Sequence, residues 1–145
     1  MTISVNVPRI ASVSLAALFL GLCGLFLAPS SAQPQETGAA TSPDGKVRVQ
    51  VLSLKRTEGE TLTLHFQITN SGNDDYAMTL DNMQLIDLAG RRVYNPGLHS
   101  PTCSTPAGKQ LTCYAVFGAP PASTRTMAVQ FYEKLDLITG VPIGE

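Results

Sequence analysis

Between Thr61 and Thr69 every second residue is apolar: Leu62, Leu64, Phe66 and Ile68 alternate with Thr61, Thr63, His65, Gln67 and Thr69. A period of two places all four apolar side chains on one face of an extended strand. A helix would scatter them around its circumference, so only a strand keeps them together. The pattern recurs. Val47, Val49 and Val51 alternate with Lys46, Arg48 and Gln50. Leu111, Cys113, Ala115 and Phe117 alternate with Thr112, Tyr114 and Val116, and Met127, Val129 and Phe131 with Ala128, Gln130 and Tyr132. No window carries a sustained helical period. Turn chemistry divides the segments, at Thr57-Glu58-Gly59-Glu60, at Asn70–Asp75 and at Gly118-Ala119-Pro120-Pro121. A sheet with one apolar face needs a second layer to cover it. The expected fold class is therefore all-β, an antiparallel sandwich of six to seven strands.

The remaining segments are less regular. Tyr76–Leu88 is extended, but Met83 and Leu85 share one phase while Ile86 and Leu88 share the other, which predicts a bulge or a strand switch. Ala89-Gly90 supplies a tight turn into Arg91–Tyr94. Asn95–Gln110 holds three prolines and two glycines and reads as loop, and Val141–Ile143 reads as a last edge strand.

The N-terminus has a different character. Arg9 is its only charged residue before Glu36, and Ile10–Ala28 is uncharged. Pro29-Ser30-Ser31-Ala32 then offers the small-x-small exit of a secretion signal, cleaved after Ala32. The competing reading is an uncleaved anchor, because the apolar run approaches the length that spans a bilayer. Ser12, Ser14 and the small-residue exit oppose it. Cys23 follows Leu22 and precedes more apolar residues, which is not the context of a lipid-attachment cysteine. Residues 1–32 are thus assigned to a signal peptide, 33–45 to a disordered linker without apolar periodicity, and 46–145 to the domain. The implied location is periplasmic or secreted, without stable membrane insertion once the leader is gone.

Cysteine usage agrees with export. Past the leader only Cys103 and Cys113 remain, and an even count outside the cytoplasm argues for a disulfide. Pro106 and Gly108 lie between them and let the chain double back. A redox pair would want CxxC spacing or a base beside a thiolate. The formal net charge of −1 and the absence of a basic stretch exclude a nucleic-acid binder. Lys55-Arg56 and Arg91-Arg92 read as solvated strand ends.

Short motifs add a resemblance. Phe66-Gln67-Ile68-Thr69-Asn70, Ile86-Asp87-Leu88-Ala89-Gly90-Arg91-Arg92-Val93-Tyr94, Pro106-Ala107-Gly108 and Ala115-Val116-Phe117-Gly118-Ala119-Pro120 occur in that order. Together they resemble a family of secreted bacterial immunoglobulin-like domains found in lipoproteins and exported antigens. The likeness runs from Val47 to Tyr132. It implies an immunoglobulin-like sandwich and carries no common activity. Many relatives have a lipid-attachment cysteine; this leader departs from that pattern.

No constellation points to catalysis. Ser71 and Ser104 lack a G-x-S-x-G elbow, and Asp81 and Asp87 have no evident cleft to share. No catalytic residue, metal ligand or cofactor is therefore assigned. His65 reads as a surface residue on a polar strand face. The leading expectation is a non-catalytic module that contacts an envelope protein or a surface ligand. Tyr94, His99 and Tyr114, around the disulfide-pinned loop, form its candidate surface, since aromatics beside a constrained loop give contact area at little ordering cost. The alternative is a periplasmic metal-handling protein. It would bind copper through His65, His99 and Met78, Met83 and Met127, or calcium through Asn73-Asp74-Asp75 and Asp81.

Overall fold

The structure is a computed structural model that describes residues 38–131 and 134–145. The expected signal peptide and the first residues of the expected linker lie outside them. Among the described residues eleven strands run in chain order: β1 (Ala39–Thr41), β2 (Val47–Thr57), β3 (Thr61–Asn70), β4 (Tyr76–Ala77), β5 (Gln84–Asp87), β6 (Arg92–Tyr94), β7 (Pro96–His99), β8 (Ser104–Thr105), β9 (Gln110–Gly118), β10 (Thr126–Gln130) and β11 (Ile138–Pro142). Each segment expected to be extended contains or overlaps a strand, although a 3-10 turn interrupts Tyr76–Leu88 and Phe131 lies just past β10. Of the additional strands, β1, β7 and β8 arise in stretches read as linker and loop, and Tyr76–Leu88 is split into β4 and β5.

Strand β3 is the centre of the first sheet, ordered β1-β2-β3-β9-β7. Its Leu62, Leu64, Phe66 and Ile68 are wholly buried, as their alternation requires. The second sheet is ordered β11-β10-β5-β6, and β4 pairs with β8 in a small ribbon. Every pairing between these strands is antiparallel. The sheets close on a common core. Phe66 of β3 meets Phe131, just past β10, with ring centroids 5.1 Å apart and planes tilted by 60°, a favourable tilted arrangement. The result is an all-β antiparallel sandwich.

Strand β2 is longer than the Val47–Val51 alternation implies. Its register against β3 shifts between Val51 and Ser53. The extra residue moves the inward phase from Val51 to Leu54, and both are buried. The alternation stops at Val51 because the strand bulges there.

Two expectations are corrected. From residue 38 the linker is folded: β1 pairs with Arg48–Gln50, and Ala40 is buried. The turn that follows is held by side chains, since the Ser42 hydroxyl accepts from Val47 N–H at 3.0 Å and Asp44 Oδ1 from Lys46 N–H at 3.2 Å. The order comes from β2, which supplies the ladder that three small residues could not supply themselves. Gly38 also abuts the second sheet's edge strand, where an added Cβ would collide with Ile138.

The loop expected over Asn95–Gln110 contains β7 and β8. Strand β7 pairs with β9, with a register shift between Pro96 and Leu98. Proline is tolerated there because β7 is an edge strand. Only Asn95 separates β6, in the second sheet, from β7, in the first.

The chain does switch within Tyr76–Leu88, but before Met83. At the expected slip between Leu85 and Ile86, β5 keeps an unbroken register against β6 and β10, and Ile86 simply faces away from the core. A 3-10 turn at Leu80–Asn82 carries the chain from β4 to β5. Met83, Leu85 and Asp87 then share the inward phase and are buried, while Leu88 is 58 % exposed. At the C-terminus the chain leaves β11 and joins the first sheet. Gly144 N–H donates to Leu54 O at 2.8 Å, and Gly144 O accepts from Arg56 N–H at 3.0 Å.

Candidate interaction surface

Cys103 and Cys113 form a disulfide with Cα atoms 6.2 Å apart. Both are buried. Cys113 lies inside β9 and Cys103 just precedes β8, while Cys103 O accepts from Met78 N–H at 3.1 Å. The bridge therefore ties the β4–β8 ribbon to the first sheet.

The three aromatic candidates occupy different places. Tyr94 pairs with Leu85, which is wholly buried, and packs partly buried against the core. His99 pairs with Ala115, also wholly buried, on the inner side of the first sheet's edge. Tyr114 points the other way: it pairs with His65 on the outer face, ring centroids 6.4 Å apart. Alternation along β9 makes opposite faces of Ala115 and Tyr114. Tyr94, His99 and Tyr114 thus do not make one patch.

His99 sits between two acceptors. Its Nδ1 lies 2.9 Å from Ser100 O and its Nε2 2.9 Å from Asp81 Oδ1. A carbonyl and a carboxylate both accept, so both ring nitrogens are best used as donors, which is the imidazolium form. The Ser100 carbonyl first, and then the Asp81 carboxylate, raise the His99 pKa above its ordinary value.

The Asn and Asp–Gly positions of the short motifs have structural roles. Asn70 ends β3 buried, its amide donating to Asp74 O at 2.8 Å and Thr105 O at 3.0 Å, and its Oδ1 accepting from Gly72 N–H at 2.9 Å. Asp87 closes the β5–β6 turn, Oδ1 accepting from Gly90 N–H at 2.8 Å. Any Cβ at position 90 would overlap that carboxylate.

Side chains named for metal handling are dispersed. Met78, Met83 and Met127 are buried in the core. His65 is exposed on the outer face, whereas His99 is engaged with Asp81. Asp75 Oδ1 accepts from Ala107 N–H at 3.1 Å. Among the described residues no three His, Cys, Asp or Glu side chains are placed to share an ion.

What the sequence reading missed is exposed apolar surface along one border of the molecule. Strand β6 is an outer strand of the second sheet and β7 an outer strand of the first. On them Val93 is 54 % and Leu98 59 % exposed. Leu98 pairs with Val116, two residues from Tyr114 on the same outer face. A groove of about 470 Å³ lies between the β5–β6 turn and the segment before β10, lined by Asp87, Leu88, Arg92, Thr124 and Arg125. A second, of about 650 Å³, shares Arg92 and Pro121 with it and adds Arg56, Val93 and Tyr94. No sequence signal marks these positions, because Leu98 lies in a stretch with loop composition.

No family model matches the chain, and no curated protein does. Among solved structures it is similar to the yjhA protein from Bacillus subtilis, at 15 % identity over 59 % of this chain and 72 % of that one, with a TM-score of 0.47.

Proposed function

We propose that the protein is an exported, non-catalytic interaction module of the secreted immunoglobulin-like kind, contacting another envelope protein or a surface ligand. The observation that carries this reading is the segment Arg92–His99. It forms an open edge of both sheets and holds Val93 and Leu98 out to solvent. An edge strand offers unpaired backbone donors and acceptors, and natural sandwiches normally blunt or cover such edges. Apolar side chains on it favour strand addition by a partner. Tyr94 braces the segment from the core side and His99 ties its end to Asp81. Tyr114 extends the same border onto the outer face. Export is supported by the leader composition and by the disulfide. Among the described residues no helix is long and apolar enough to cross a membrane.

Two measurements test it. Intact mass of the protein recovered from an exporting host, with and without reductant, reports leader removal, lipidation and the disulfide together. A retained leader overturns cleavage and favours the anchored reading; recovery of the protein only from the cytoplasm, with free thiols, overturns export. A photo-reactive side chain introduced at Leu98 should give a defined adduct in the cell envelope, and one at Arg48, on the polar face near the opposite edge, should not. Absence of any adduct at Leu98, or the same adducts at both positions, overturns the contact surface.

A further inference from the structure

We propose that the two grooves flanking β6 receive an extended, acidic and apolar-bearing peptide segment of the partner, whose carboxylates pair with Arg92 and Arg125. The inference rests on the interaction-module reading and adds the chemistry of the partner.

Charge is the first argument. Arg125 lines the first groove, Arg92 lines both, and Arg56 lines the second. Among the described residues none of the three guanidinium groups has a carboxylate partner. Arg56 is held in place by neutral acceptors, its two terminal nitrogens donating to Pro120 O at 3.1 Å and Pro121 O at 3.0 Å. The nearby acids offset this only in part. Asp87 is the cross-strand partner of Arg92, but it is 5 % exposed and its carboxylate is turned to Gly90 N–H and, at 3.4 Å, to the Thr124 hydroxyl. Glu60 lines the second groove alone. Three cations face two anions, one of them committed to a turn. In a chain whose formal charge is −1, this end holds a local positive surplus.

Apolar surface is the second argument, and it selects the class of ligand. Leu88 lies in the first groove and Val93 in the second, both more than half exposed. A sulfated or phosphorylated polysaccharide would use the arginines and leave these side chains wet. A peptide strand uses both: planar guanidinium groups take carboxylates bidentately, and alternate side chains of an added strand reach the apolar positions. The second groove lies along β6 through Arg92, Val93 and Tyr94, and the first continues from Arg92 past the β5–β6 turn to the segment before β10.

The test uses the full chain exported with its disulfide formed, and a fluorescein-labelled synthetic peptide of alternating Asp and Val read by fluorescence anisotropy. The peptide should bind. Replacing its Asp by Asn, or introducing R92E together with R125E, should weaken binding by about tenfold or more, and raised salt should act in the same direction. Arg92 and Arg125 are exposed, so the double variant should keep the parent's circular dichroism and melting midpoint. Unchanged affinity of a folded R92E/R125E protein, or no binding by the parent, overturns the proposal. Dextran sulfate bound through the same two arginines, with the peptide not bound, would mark a polysaccharide site and overturn it too. A partner adduct at Leu98 that survives the arginine reversals would leave the interaction-module reading standing and remove only the acidic-peptide chemistry.

Discussion

His99 on β7 and Asp81 on the 3-10 turn are joined Nε2 to Oδ1 at 2.9 Å, linking the edge of the first sheet to the segment that leads into the second. With Ser100 O on the other ring nitrogen, the site favours the charged imidazole. A folded-state pKa above the ordinary 6.5 means the contribution to stability is full below about 6.5, the unfolded value. It is lost as pH rises through the higher folded value. Urea midpoints of the parent should therefore fall on going from about pH 6 to about pH 8, and H99Q should flatten that part of the profile. An identical pH profile in H99Q would show that the pair has no such role.

Gly90 and Asp87 make a second coupled pair. The turn places Gly90 so close that any Cβ overlaps the carboxylate. Gly90→Ala should cost about 1–3 kcal/mol by overpacking. In an Asp87→Ala background the same substitution should cost much less, since the obstructing group is gone. Equilibrium denaturation of the four proteins of the cycle measures the coupling; strict additivity would mean the contact is not felt.

Phe66 and Phe131 meet across the two sheets, both fully buried. Phe66→Ala should destabilise by about 3–5 kcal/mol, from lost burial and the cavity left behind. Circular dichroism melts of Phe66→Ala against Thr63→Ala, on the outer face of the same strand, check it. Comparable losses in the two variants would contradict the sandwich.

The Cys103–Cys113 bridge closes a short loop, with a sequence separation of 10. On the chain-entropy account its removal should cost about 3 kcal/mol. Reduction, or replacement of both cysteines by Ala, should lower the urea midpoint accordingly. The ribbon of β4 and β8 should lose amide-exchange protection first, because the bridge is its covalent tie to β9.

Much of this architecture is legible in the chain itself. Leu62 through Ile68 and Leu111 through Phe117 alternate without interruption, and a period of two admits one burial geometry. In β10 the alternation is not kept, since Met127, Ala128 and Val129 are all buried and the register against β11 shifts there. The cysteine pair is legible for a similar reason: beyond the apolar N-terminal segment two thiols remain, with a turn between them.

Where a segment's order derives from a neighbour, the sequence is silent. Ala39–Thr41 has no periodicity of its own and is a strand because β2 offers it a ladder. Pro96–His99 has loop composition and is a strand because β9 has an open edge. Tyr94, His99 and Tyr114 lie close in sequence or register, yet one faces the core from the second sheet and the other two take opposite faces of the first. Side-chain patterning is a local property and determined the all-β class by itself. The pairing of edges, the switch of sheets at Asn95 and the gathering of Arg56, Arg92 and Arg125 around β6 depend on which distant strands meet, and only the folded chain decides that.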